Sequence, residues 1–404
     1  MPISALLQNA AFVRTRNALE ADFERFVKDI VTLTEIPAPP FQEMVRAEAF
    51  RDMLTETGIG EVSLDAIGNV IGCHYGQSDD GHERQTICIA AHLDTVFPPG
   101  TDTKVRRQGN RFYAPGVGDD TRGLAVLLAL ARAIAATGLK TRHDILFVGN
   151  VGEEGPGNLR GIRHLFQEGA WAGKIDAFFS VDGADMETVI AGGIGSHRYH
   201  VVLAGPGGHS FIDFGIVNPA NALGDFLAGL ARLPAPKEPR TTYCASMVGG
   251  GTSINAIPQQ VWVDVDLRSA DPRSLEELDS AMRGLVETAV TSENMRGNTA
   301  RGTVSAELTQ IGDRPAAPLA TSGRVVDEAV AALAAHGFTA RLERGSTDAN
   351  IPLSLGIPAV ALGSGVAGGN LHTLAEWIDV EPKPNRRALA AILTALLAVA
   401  EVVH

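Results

Sequence analysis

This sequence predicts an α/β protein. A mostly parallel sheet with helices on both faces is interrupted by an inserted α+β two-layer sandwich. Three observations carry that expectation. Short apolar runs of strand length alternate with helical stretches over much of the chain. The pattern then changes to half-buried, alternating strands from about 194 to 311. With 404 residues, 45% of them hydrophobic, and 44 glycines and 21 prolines, the chain can bury a large core and still carry many loops.

In chain order, the buried strands are expected at Val70–His74, Thr86–Ala91, Asp144–Val151, Ile175–Val181 and Pro358–Leu362, where apolar residues run almost without interruption. Helices are expected at Leu124–Ala136, Gly161–Glu168 and Asn385–Val403. The middle stretch reads as strand Ser196–Ala204, helix Pro219–Leu233, strands Thr241–Val248 and Gln260–Arg268, helix Ser274–Ser292 and strand Thr303–Gln310. In the first of these strands Tyr199, Val201 and Leu203 share one face, and Arg198 and His200 the other. One domain is therefore expected over 1–193 plus 312–404, with a second inserted at 194–311.

The formal net charge of −13 argues against nucleic acid as a partner, because phosphates need a positive surface. No apolar run approaches the roughly 18 residues of a membrane span. The N-terminal stretch is broken by Arg14, Arg16 and Glu20, so no secretory leader is expected. Cys73, Cys88 and Cys244 are scattered and odd in number, which fits free thiols and a cytoplasmic location.

Four of the apolar strands deliver an imidazole or carboxylate just past their C-terminal ends: His92-Leu93-Asp94, Glu153-Glu154, Asp182 and, after a glycine-rich loop, His372. That edge of an open α/β sheet is where ligands bind. A further acid pair, Asp119-Asp120, sits in a glycine-rich turn before the helix at Leu124. Each alone has an ordinary explanation, such as a helix cap or a solvated loop. Together, carboxylates crowded at one edge repel unless cations sit among them, and a mixed carboxylate and imidazole set suits zinc, cobalt or manganese rather than calcium. Asp94, two beyond His92, is placed to hold the other ring nitrogen of that histidine. Of the adjacent pair Glu153-Glu154, one can coordinate while the other handles a proton.

These segments resemble the co-catalytic metallopeptidase superfamily of peptidase T, carboxypeptidase G, aminoacylase and succinyl-diaminopimelate desuccinylase. The matching stretches are Ala91–Val96, Gly118–Gly123, Gly152–Gly155, Val181–Gly183, Gly205–Ser210 and Leu371–Thr373. The resemblance implies two divalent ions per chain, zinc first and cobalt or manganese as alternatives. It assigns His92 and Asp182 to one metal and Glu154 and His372 to the other. Asp119 would bridge them, with Asp120 as the competing choice, and a cis peptide is expected after the bridging aspartate. Glu153 would be the general base acting on a metal-bridged water, and Asp94 would orient His92. The family's usual lysine is replaced by Thr121. The inserted domain would make a homodimer and act as a lid, with His209 stabilising the oxyanion across the interface. Asn255 and Arg268 would grip the substrate's α-carboxylate.

The activity implied is hydrolysis of an amide bond in a small peptide or N-acyl amino acid. A di-/tripeptidase or carboxypeptidase-like enzyme is expected first, and an aminoacylase-like deacylase is the alternative. Thr347, Asp348 and Asn350 are expected to line the pocket, and Glu376 either to support His372 or to line it. Two rivals are weaker. Gly155–Gly161 follows a strand and opens a helix like a dinucleotide loop, but Glu153 and Glu154 stand where a pyrophosphate would need positive potential. A non-catalytic metal-binding protein would be favoured by the loss of a ligand, and all are present.

Overall fold

The computed structural model describes residues 2–77 and 83–403. Two compact units emerge, one made of Met1–Gly193 and Leu319–His404, the other of Ile194–Pro318.

The larger unit is organised by an eight-stranded sheet. Its order is Val62–Leu64, Val70–His74, Asp144–Asn150, Thr86–His92, Ala177–Val181, Ala359–Leu362, Thr188–Gly193 and Arg341–Gly345. The four central strands, from Asp144–Asn150 to Ala359–Leu362, run parallel in register. Val70–His74 joins antiparallel on one side, and Thr188–Gly193 pairs antiparallel with Ala359–Leu362 on the other. The central strands are buried along their whole length because both faces are covered. Their side chains divide with period two. Ile87, Ile89 and Ala91 join the core shared with the helices Ala10–Ala21, Phe23–Thr34, Met44–Glu56, Thr121–Thr137 and Pro382–Ala400, whereas Cys88 and Ala90 join a second core with the helix Arg160–Gln167.

The helix Thr121–Thr137 is apolar on nearly every side, and its residues from Thr121 to Ile134 are all buried. Such a helix belongs in an interior, and it packs between the sheet and the helices Ala10–Ala21 and Phe23–Thr34. Gly138, in the left-handed conformation, ends it. Phe50, fully buried on the helix Met44–Glu56, lies over Gly149, where any side chain would meet its ring. Replacing Phe50 with alanine leaves a cavity that neighbouring strands cannot close. The expected cost is about 3–5 kcal/mol, to be read from urea unfolding.

The second unit is a four-stranded antiparallel sheet in the order Thr241–Gly250, Gln260–Ser269, Gly195–Ala204 and Ser305–Arg314. Its core joins Tyr199, Val201, Leu203, Val263, Val265 and Leu267 to the helices Pro219–Leu230 and Pro272–Arg296. Each helix opens with proline at its first position behind an Asn218 or Asp271 cap. The last strand continues to Arg314, past the position 311 where the sequence pattern ends. A register irregularity between Gln310 and Gly312 interrupts the alternation that would have revealed it.

Candidate metal centre

The carboxyl ends of the parallel strands place the predicted groups together. His92 is the last residue of its strand, Glu153 and Glu154 follow Asp144–Asn150, and Asp182 follows Ala177–Val181. His92, Asp119 and Glu154 present ligand atoms within 4.8 Å of one another, and so do His92, Asp120 and Asp182. Asp119 is central. Its Oδ1 lies 2.8 Å from His92 Nε2, and its Oδ2 lies 3.1 Å from His372 Nε2. His372 Nε2 is also 3.0 Å from Glu154 Oε1. His92 belongs to both groups, and Asp119 faces His92 through one oxygen and His372 through the other. His372 holds a positive φ of 63°, a costly conformation for a non-glycine residue and one that the surrounding chain must enforce.

Asp120 is differently engaged. Its Oδ1 accepts the Gly123 N–H at 3.2 Å, capping the helix Thr121–Thr137, and its Oδ2 accepts the His92 N–H at 3.1 Å. The peptide between Asp119 and Asp120 is cis. His92 Nδ1 donates to the carbonyl oxygen of Asp94 at 3.0 Å, which fixes the tautomer and turns Nε2 toward Asp119.

Asp94 thus holds the second ring nitrogen of His92 through its carbonyl oxygen. Its carboxylate is 3.7 Å from His92 Nδ1 and instead accepts the N–H groups of Glu153 at 2.9 Å and Glu154 at 2.8 Å. The strand ends at His92, so the period-two rule that would aim Asp94 at the ring no longer applies. Thr347, Asp348 and Asn350 are all buried. Thr347 Oγ1 donates to Asp182 Oδ2 at 2.9 Å, and Asp348 Oδ2 accepts the Asn150 side-chain amide at 2.8 Å.

Two groups have roles that sequence reasoning did not fix. Glu376 is fully buried, and its carboxylate accepts the backbone N–H groups of Gly116, Gly118 and Asp119 at 3.0, 2.7 and 3.0 Å. It thus shapes the turn that presents Asp119 rather than holding His372. Arg122 is the second, and it too is fully buried. Their neighbourhood in sequence carries no periodic signal that would reveal either.

The electrostatics favour cations. Burial pushes Asp182 up to about 6, with the Asp119 charge adding to it. Burial likewise pushes Asp348 and Glu376 up to about 7 and raises Asp120 well above the ordinary range. Burial works the same way on Asp119, but hydrogen bonds from His372 and His92 outweigh it and hold that carboxyl below its usual range. Hydrogen bonds from Asp119 and then Glu154 raise His372 to about 10. Buried carboxylates crowded in this way, only partly offset by the two histidines and by the buried Arg46 and Arg122, match a set suited to divalent ions. The imidazole and carboxylate donors fit zinc, cobalt or manganese.

His209, Asn255 and Arg268 lie in the second unit. His209 is exposed on the short strand Gly208–His209, which pairs with Ala256–Ile257. Its Nδ1 accepts the N–H groups of Phe211 and Ile212 at 3.2 and 3.3 Å, which assigns the ring hydrogen to Nε2. Asn255 sits beside it, its carbonyl accepting the Ser210 N–H at 3.0 Å and its Oδ1 the Ser253 hydroxyl at 2.6 Å. Arg268 Nε donates to Asp266 Oδ2 at 2.7 Å, and Asp266 Oδ1 accepts from Arg198 Nε at 3.2 Å. Arg268 and Arg314 flank Ser196 from the two neighbouring strands. Arg314 was not singled out by sequence reasoning, because it lies past the stretch where the strand alternation is regular.

The family model for peptidase family M20/M25/M40 matches residues 88–398. The chain is similar to carboxypeptidase G2 of Pseudomonas sp. (strain RS-16), with 27% identity over 349 residues, 84% of this chain and 80% of that protein. It is similar to succinyl-diaminopimelate desuccinylase of Corynebacterium glutamicum, with 26% identity over 268 residues, 63% of this chain and 68% of that one. Its fold resembles that of aminopeptidase PepT from Bacillus cereus, with a TM-score of 0.73 and 22% identity over 93% of this chain and 99% of that one.

Proposed function

The chain belongs to peptidase family M20/M25/M40 and is a hydrolase of amide bonds; on that premise we propose that it cleaves small peptides as a di-/tripeptidase or carboxypeptidase-like enzyme. Two divalent cations, zinc in the first instance, would be held by His92 and Asp182 and by Glu154 and His372, with Asp119 between them. The observation that carries this reading is that the two oxygens of Asp119 face one histidine from each half-site. Bound there, such ions polarise a carbonyl and lower the pKa of water toward neutrality.

The chain's own groups then do the rest. Glu153 takes a proton from the attacking water as the new C–O bond forms, and returns it to the nitrogen as the C–N bond breaks. Asp94 keeps Glu153 and Glu154 in fixed relation through their adjacent N–H groups. The Nε2–H of His209 suits donation to an oxyanion. The planar fork of Arg268 and the amide of Asn255 suit a substrate carboxylate.

The experiment is metal content together with hydrolysis of dipeptides, tripeptides and N-acetyl amino acids, before and after chelation. About two ions per chain are expected, with turnover lost on chelation and restored by zinc, cobalt or manganese. Metal-replete protein without chelator-sensitive turnover would overturn the reading. Similarity to a desuccinylase favours a second reading, an N-acyl-amino-acid deacylase. Preference for the N-acetyl substrates would select it.

A homodimer with His209 acting on the partner's site is part of the proposal. Phe211, Ile212 and Phe214, exposed next to His209, support an apolar contact there. His209→Ala is expected to lower kcat by about 100-fold with metal uptake unchanged. Mixing that variant with Glu153→Gln should recover activity, because a mixed dimer holds one intact site; no recovery places His209 in its own subunit's site. The three free cysteines fit a reducing cytoplasm.

A further inference from the structure

Arg122 occupies the second position of the helix that follows Asp119, where a charged side chain would ordinarily face water. It is instead fully buried, and its guanidinium reaches two other segments of the site. Nε donates to Ser364 Oγ at 2.9 Å, Nη1 to the Ala367 carbonyl at 3.0 Å and Nη2 to the Gly183 carbonyl at 3.5 Å. Ser364 closes the triangle by donating its hydroxyl to the same Gly183 carbonyl at 2.7 Å.

Each contacted segment adjoins a candidate ligand. Gly183 follows Asp182, and Ser364 to Ala367 begin the glycine-rich loop that leads to His372. Burial lowers the guanidinium to about 10, and the carboxylates of Asp120, Glu376 and Asp379 oppose that shift. The loop is also shaped for this side chain. A Cβ on Gly365 would stand 2.5 Å from Arg122 Nη1, so residue 365 must be glycine for the guanidinium to lie where it does. Glu376 makes the reciprocal reach, from beyond His372 to the turn bearing Asp119.

We infer that Arg122 is a positioning residue for the metal centre, a buried clasp that fixes the Asp182 loop and the His372 loop against the helix that follows Asp119. It touches neither substrate nor metal. The planar fork is what the geometry uses, since a lysine keeps the charge but cannot donate in three fixed directions. The inference rests on the two-metal reading above.

The test uses full-length protein stripped by chelation, with zinc titrated back against a competing chelator. Thermal unfolding of the metal-free form and steady-state kinetics are followed alongside. Wild type is compared with Arg122→Lys, Ser364→Ala and Gly365→Ala. Arg122→Lys is expected to weaken zinc binding by about 10- to 100-fold, as loss of a group that orients ligands does. Its kcat should fall with KM little changed, while the metal-free protein unfolds near the wild-type temperature. Ser364→Ala and Gly365→Ala should shift zinc affinity the same way but less. Because Gly365→Ala acts by displacing Arg122, its effect should be non-additive with Arg122→Lys.

Lowered unfolding temperatures with wild-type zinc affinity and kcat would make Arg122 a packing residue and overturn the inference. If Arg122→Lys does not fold, the two loop variants, which keep the guanidinium, decide by the same criterion. If wild type itself takes up no zinc, cobalt or manganese, the two-metal reading fails and the clasp fails with it.

Discussion

Glu153→Gln is expected to lower kcat by about 1,000-fold while the protein keeps its metal, within the range that general bases contribute. The substitution preserves shape and removes only the capacity to take a proton. Glu153 is buried beside the cluster, but it is Glu154 whose Oε1 lies 3.0 Å from His372 Nε2. The adjacent N–H groups of Glu153 and Glu154 are pinned to the two oxygens of Asp94. Glutamine at 153 leaves that brace intact, because the brace uses backbone hydrogens. Metal content and KM should thus stay near wild type. Glu154→Gln should instead cost metal, since it weakens a ligand. The measurement is kcat and KM on the best peptide of the panel, with metal analysis on the same sample. Retention of most activity by Glu153→Gln would remove it from the role of base. Loss of metal would move it into the ligand set.

The contrast between these two neighbours shows how far sequence reasoning reached. Continuous apolar runs such as Ile87–Ala91 and Ile145–Val148 were legible as central strands because burial on both faces keeps the middle of each strand apolar. Groups placed just beyond those runs could be read as one site, since parallel strands end at a common edge. The edge strand Arg341–Gly345 was not legible, because its partly exposed, charged residues imitate a loop. Nor was the supporting shell of the site. Glu376 and Arg122 act on backbone groups distant in sequence, at separations no local pattern encodes. Asp94 was legible as a partner of His92, but which of its oxygens holds the ring was not, because the strand ends one turn of the pleat too early for alternation to aim it.

Asp119→Asn and Asp120→Asn are expected to separate completely, although the two residues are adjacent and both buried. Asparagine at 119 replaces one charged oxygen by an amide NH2, which cannot face a cation and an imidazole donor at once. Because the two oxygens of Asp119 serve His92 and His372 respectively, this change weakens both half-sites. Metal content should fall from about two ions toward one or none, and kcat by about 1,000-fold or more, since a site that loses its paired ions loses the chemistry they supply. Asp120 is already committed to two backbone donors, Gly123 N–H and His92 N–H. Asparagine there turns one acceptor into a donor facing an N–H, a mismatch of about 1–3 kcal/mol in a buried position. Its signature should be a lower unfolding temperature with metal stoichiometry near wild type. Asp120 also lies within reach of His92 and Asp182, so the opposite result is physically available: Asp120→Asn emptying the site while Asp119→Asn keeps two ions. That outcome would transfer the bridge to Asp120 and leave Asp119 as a hydrogen-bond partner of the two histidines.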